Sequence, residues 1–209
     1  DFCLSRGLGD VYKRQSLEVR ESPSGGSLFH FGVVRVDIKA ISESDALNLC
    51  ERNESLYFDR KAAAVSGRNL QKHLVAFANT EGGDVLIGLA DDKDEPDPSK
   101  RWQGLNRIED FNSLLQAAHE LSPSIPFQYE FLTAERKIGI VLRFTIEKSA
   151  IVHCTADNTV YVRVGAASIR LSDPQKIQEL AFAKGATSFE DATVSESAPE
   201  DIVDSQAIK

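Results

Sequence analysis

The sequence predicts an α+β domain, a mixed sheet packed by amphipathic helices. Apolar residues recur at helical spacing in separate stretches, while other stretches alternate apolar and polar in period two. Helical and strand patterns are interleaved along the chain, with Gly, Pro and Asn at the joins. The 209 residues suffice for one ordinary domain with appendages, a size at which folding removes about 70% of the unfolded chain's surface from water.

The elements follow in order. Residues 1–15 have neither periodicity and are set aside as a probable-artefact segment or a disordered terminus, because they resemble the adapter-derived peptide at the ends of assembled metagenomic reading frames. Residues 16–50 form a β-rich upstream segment, Leu28 to Ile38 after the Pro-Ser-Gly-Gly turn, followed by a short helix that Ser44 can cap. A short strand starts at Leu56-Tyr57-Phe58. Leu70, Leu74, Phe77 and Ala78 then lie on one helical face, ending at Asn79-Thr80-Glu81-Gly82-Gly83, and Val85 to Leu89 leaves as a buried strand.

Asp91 to Lys100 reads as a charged loop, and Ile108, Phe111, Leu115 and Ala118 mark a second amphipathic helix. Ile138, Ile140, Leu142, Phe144 and Ile146 alternate as a strand, and Val160, Val162 and Val164 repeat the pattern before Gly165. Asp173-Pro174 caps a last helix with Ile177, Leu180 and Ala181 inward. Beyond residue 185 the acidic, Ser- and Ala-rich stretch 186–209 reads as a disordered tail.

Charge and cysteine content narrow the function classes. Of the net charge of −8, the stretch 190–209 supplies −5 through six acidic residues and one lysine. The remainder is only mildly acidic, which excludes a histone-like polycation but leaves room for a local basic groove. Three cysteines without a C-x-x-C pair suggest neither a disulfide framework nor a cysteine zinc site, so a reduced, cytoplasmic setting is expected. The apolar runs are far shorter than the roughly 18 residues of a membrane helix. The chain has no Met and opens at Asp1, and reads as a fragment of a longer parent with a further C-terminal domain. No G-K-[ST] follows the Gly82-Gly83 pair, so a Walker phosphate loop is excluded.

The run Ala76 to Leu89, AFANTEGGDVLIGL, closely resembles the signature of the Schlafen AlbA-type domain. Glu54 to Lys61 (ESLYFDRK) looks like that family's upstream acidic block, Gly104 falls where the family places a glycine, and Val160 to Gly165 (VYVRVG) looks like its tyrosine-arginine-glycine strand. The match covers roughly residues 51–184, giving a Schlafen AlbA-like domain at 51–185.

The resemblance implies a nucleic-acid-binding module of a bacterial regulatory protein, with DNA or RNA as partner and no membrane. It also implies an alternative, an endoribonuclease using Mg²⁺ or Mn²⁺, with Glu54, Asp59 and Asp91 as catalytic carboxylates and metal ligands. Here the family's second glutamate is Asp59 and its phenylalanine is Arg60. A third reading is a protein-interaction or sensory module.

The residues themselves leave alternatives open. Gly82 and Gly83 make a tight helix-to-strand turn. Asn79 and Thr80, polar groups at a helix end, either hold a neighbouring loop or touch a phosphate. Asp59 and Lys61 share a strand face opposite Phe58, either a solvated face with a weak ion pair or a functional one; Glu54 converges on Asp59 only from a loop or bulge. Tyr161 and Arg163 alternate onto the face opposite the valines, with Arg170 after a turn, either a stacking and phosphate-neutralising platform or an ordinary wet face. Trp102 reads as a loop anchor or a stacking residue.

Overall fold

The structure, a computed structural model, describes residues 38–185. The chain runs β1 (Ile38–Ile41), α1 (Glu43–Glu51), β2 (Phe58–Lys61), α2 (Gly67–Asn79), β3 (Gly83–Ile87), α3 (Asn112–His119), β4 (Phe127–Ala134), β5 (Val141–Ile146), β6 (Val160–Val164), β7 (Ala167–Leu171) and α4 (Pro174–Ala183). Five strands form a mixed sheet in the order β1-β4-β5-β3-β2, and β6 and β7 form a separate hairpin. Parallel pairing of β2 with β3 follows from the α2 crossover, since parallel neighbours need a long connection. The α+β class holds. The expected strand over 28–38 lies outside the described residues except for Ile38, which opens β1.

Both faces of the sheet are covered, which explains the unbroken Val85-Leu86-Ile87 run. On one face, Leu70, Leu74 and Phe77 of α2 and Leu114 and Ala118 of α3 pack on Val85, Ile87, Phe131, Leu142 and Phe144. On the other, Ala46 and Cys50 of α1 meet Phe58, Leu86, Leu132, Val141 and Trp102. Trp102 is thus a packed anchor, donating its indole N–H to the Gly139 carbonyl at 3.2 Å.

Several elements differ from expectation. Ser42, not Ser44, caps α1 by accepting the Asp45 amide N–H. Leu56 and Tyr57 form a turn bridged from Ser55 to Phe58, so β2 begins only at Phe58. Ile138 is 85% exposed because Gly139, at φ 87°, interrupts the alternation and β5 starts at Val141. A 3₁₀ turn over Ile108–Phe111 precedes α3, which buries Leu114 rather than Leu115. Strands β4 and β7 were not singled out by the sequence pattern. The last helix does carry its Asp173 cap, and Ile177, Leu180 and Ala181 are half-buried.

Candidate functional site

Asp59, on the edge strand β2, lies under the β6–β7 hairpin and is 0% exposed. Its Oδ1 accepts a hydrogen bond from Lys61 Nζ at 2.5 Å. Its Oδ2 accepts from Arg163 Nη1 and His73 Nδ1, each at 2.8 Å. Glu54, arriving from the loop before β2, converges on the same cluster; its Oε1 accepts the Arg60 amide at 3.2 Å and lies 3.4 Å from Lys61 Nζ. The solvated-face reading of Asp59 is therefore overturned: the hairpin covers that face.

Burial alone would raise the Asp59 carboxyl, yet hydrogen bonds from His73 and Glu54 and the Lys61 charge hold it well below the usual range. Burial pushes Glu54 up, and the hydrogen bond and charge of Asp59 push it further, so a proton shared by this pair sits on Glu54. Burial holds His73 neutral below its ordinary value near 6.5, against the pull of Asp59. Lys61 and Arg163 already bring two positive charges to Asp59, and a proton on His73 would add a third to this buried cluster.

The unfolded chain carries no such restriction. Thermal stability is expected to fall as pH drops from about 7.5 to 5.5, because unfolding lets His73 and the likewise buried His153 take up protons that the folded state resists. Their folded values are lowered, so the unfolded state binds more protons in that window and stability rises with pH. Glu54 works in the opposite sense above about 4.5. Melts across this range test the sign; a flat or inverted profile contradicts it.

This geometry bears on two chemistries. Ser168 Oγ lies 3.1 Å from His73 Nδ1, the same nitrogen that serves Asp59. A nucleophilic triad needs the serine and the carboxylate on opposite ring nitrogens, so these three residues are not one. The metal reading finds no gathered donor set among the described residues. Both oxygens of Asp59 are held by cationic or N–H donors, and Asp91 Oδ1 accepts the Asp92 amide at 2.6 Å. Among the described residues no three His, Cys, Asp or Glu side chains converge as a metal site. Glu54 and Asp59 meet, as the bulged approach allows, but Asp91 does not join them, and the Mg²⁺ or Mn²⁺ ligand set is not assembled.

Arg163 is the second correction. It was expected on an exposed platform, but it is 3% exposed while Val164 is 58% exposed. Besides Asp59 it donates to the Ser55 carbonyl from Nε at 3.1 Å and Nη2 at 2.9 Å, and to the Phe58 carbonyl at 3.2 Å. Its guanidinium also sits 4.6 Å over the Phe77 ring. With Nη1 also donating to Ser168 Oγ at 3.2 Å, all five N–H donors are engaged and none is left for a phosphate.

Asn79 and Thr80 take the loop-holding role. The Asn79 amide donates to the His153 and Tyr161 carbonyls at 2.8 and 2.9 Å and accepts from the His153 amide at 2.8 Å. Thr80 Oγ1 accepts the Arg163 amide at 2.8 Å. Together they pin the hairpin to the end of α2. Gly82 and Gly83 follow at φ 74° and 142°, and the Gly82 amide donates back to the Phe77 carbonyl at 2.9 Å. This is the left-handed helix end the glycine pair implies.

A second buried group was missed by sequence reasoning. Arg60 and Arg101, 1% and 7% exposed, both donate to Asp92 Oδ1 and to the Cys50 carbonyl. This clasp ties the acidic loop after β3 to α1 through Asp92, not Asp91.

On the surface, a cleft of about 240 Å³ lies between the start of α2 and the hairpin, lined by Ser66, Arg68, Asn69, Lys72, Thr155, Asp157 and Tyr161. Tyr161 is half-buried, with Lys72 Nζ 5.8 Å from its ring centroid. Arg170 pairs across the hairpin with Tyr161 and is exposed. The Thr155 hydroxyl holds the Asp157 carboxyl below the usual range. Of the residues expected to bind, Tyr161 and Arg170 are here, and Arg68 and Lys72 join them. Their spacing of four on the face of α2 opposite Leu70 and Leu74 was the available signal. Lys61 instead belongs to the Asp59 cluster.

Among the described residues no helix is long and apolar enough to cross a membrane. In fold, the chain is similar to the crystal structure of the DIP2311 protein from Corynebacterium diphtheriae, with a TM-score of 0.50 at 15% identity over 77% of this chain. It spans 36% of the length of that protein. No curated protein matches it. The family described as "Schlafen, AlbA_2" matches residues 54–172, from Glu54 of the buried cluster through β7. That span is more than half of the chain and holds the glycine corner, the Asp59 cluster and the hairpin, and the chain belongs to the Schlafen AlbA_2 family.

Proposed function

We propose that this domain is a nucleic-acid-binding module of a longer regulatory protein, and that it binds through the cleft beside Tyr161. The observation that carries this reading is the placement of Lys72 over the Tyr161 ring, with Arg68 lining the same cleft and Arg170 opposite Tyr161 on the hairpin. An aromatic face offers stacking to any base, and cations around it neutralise phosphates and release counterions. The fold supports this by fastening the hairpin to α2 through Asn79, Thr80 and Arg163, so the cleft is formed before a ligand arrives.

A salt series of gel shifts with single-stranded and duplex DNA and RNA tests it. Affinity is expected to fall steeply with salt, and Arg68→Ala or Arg170→Ala to flatten the log–log slope by about one unit each. No binding to any of these at low salt overturns the reading. A protein-interaction role has one supporting feature, the outward hairpin face with Val164 and Ile169 58% and 45% exposed. It is favoured if nucleic acid fails to bind.

A further inference from the structure

We propose that the cleft beside Tyr161 takes a single unpaired nucleotide and selects guanine, with Asp157 as the selecting group; the inference rests on the nucleic-acid reading above. The size comes first. At about 240 Å³ the cleft is smaller than the roughly 300–1,000 Å³ of sites that enclose whole small molecules. It suits one planar ring. The face of Tyr161 can stack only on a base that has left its own stack, so single strands, loops and ends are the fitting ligands, not paired duplex.

The carboxylate comes second. A surface that recognised phosphate alone would gain nothing from Asp157, whose charge opposes every phosphate brought to Arg68 or Arg170. Yet Asp157 is exposed on the cleft wall and held in place. The Thr155 hydroxyl donates to its Oδ1. The loop is closed around it by Thr155 N–H to the Thr159 carbonyl at 3.0 Å and Asn158 N–H to the Thr155 carbonyl at 2.8 Å, with Asn158 at φ 55°. An ionised carboxylate accepts hydrogen bonds and donates none, and has about four lone-pair sites, of which Thr155 takes one.

Base chemistry then decides. The Watson–Crick edge of guanine presents two adjacent donors, N1–H and the N2 amino group, which match the two oxygens of a carboxylate. Adenine and cytosine each place a ring-nitrogen acceptor beside their amino group, and uracil and thymine flank one N–H with two carbonyls, so each turns a repelling acceptor toward Asp157. Lys72 beside the Tyr161 ring and the arginines at the rim would hold the flanking phosphates whatever the base.

Fluorescence anisotropy of the full chain with labelled eight-nucleotide strands tests this, using oligo(dT) carrying one central dG, dA or dC, and the matching oligo(U) series. The dG and G strands are expected to bind about tenfold tighter than their homopolymers, the scale of one good bidentate base contact. Asp157→Asn keeps the loop's shape and removes the charge; it should bring that ratio close to one while oligo(dT) binds at least as tightly, since a charge that opposes phosphate is gone. Asp157→Ala should do the same. Equal binding of guanine and thymine strands by the unaltered protein, or a preference that survives both variants, overturns the guanine assignment and leaves the nucleic-acid reading standing. No binding of any strand at low salt overturns both. A gain confined to the RNA or the DNA series supports the assignment and identifies the sugar the site prefers.

Discussion

Replacing Arg163 by Met is expected to lower the unfolding free energy by about 3–5 kcal/mol, the usual consequence of removing one partner of a buried ion pair. Asp59, with no exposure of its own, would keep a charge whose guanidinium partner is gone. The backbone carbonyls of Ser55 and Phe58 would lose their Arg163 donors at the same time. A loss of that size is a large part of the roughly 5–15 kcal/mol that holds a domain together. Denaturant titration measures it. The double variant Asp59→Asn with Arg163→Met should recover part of the loss, because it removes both charges together. A single variant that loses less than about 1 kcal/mol would show that the pair is solvated and the hairpin loosely held.

Gly83→Val should cost about 3 kcal/mol or more, from backbone strain and overlap together. Gly83 sits at φ 142°, and a Cβ built there would lie 2.5 Å from the Tyr57 carbonyl oxygen and 2.8 Å from the Phe77 ring. Neither neighbour can yield, since Tyr57 O accepts the Asp84 amide at 2.9 Å and Phe77 is wholly buried. Gly165→Ala is the control. It too has positive φ, 58°, but nothing lies within 4 Å of its Cβ position, so only strain of about 1 kcal/mol applies. Comparable melting temperatures for the two variants would refute the overlap argument.

The α2 to β3 corner was legible because its information is local: an apolar stripe, two glycines and a short apolar run. The strand character of β6 was equally legible, but Arg163 was expected in the open and is buried. Period two separates two faces and does not say which is inward. That was decided by Asp59, 104 positions from Arg163 in the sequence, and a valine strand with a buried arginine reads locally as the reverse. Strand β4, with Gln128 and Glu130 among its aromatics, has a weak alternation and is placed by its pairing with β1 and β5. Of the site, Tyr161 and Arg170 were visible as an aromatic beside a base. Lys72 and Asp157 could not be joined to them without knowing that α2 packs on β6.

The hairpin of β6 and β7 has only two strands, a size that is marginal in isolation. Its fastening to α2 and β2 changes how it can open. The amide of Arg163 is held by Thr80, and the carbonyl of Tyr161 by Asn79, both side chains at the end of the central helix. To expose those groups to solvent, the hairpin must break the Asp59 pair and uncover the end of α2 in the same event. Amide hydrogens of β6 are therefore expected to exchange with water only when most of the domain unfolds, as those of a core strand do. Hydrogen exchange should then show the ribbon that carries Tyr161 and Arg170 opening with the core, although it lies outside the main sheet.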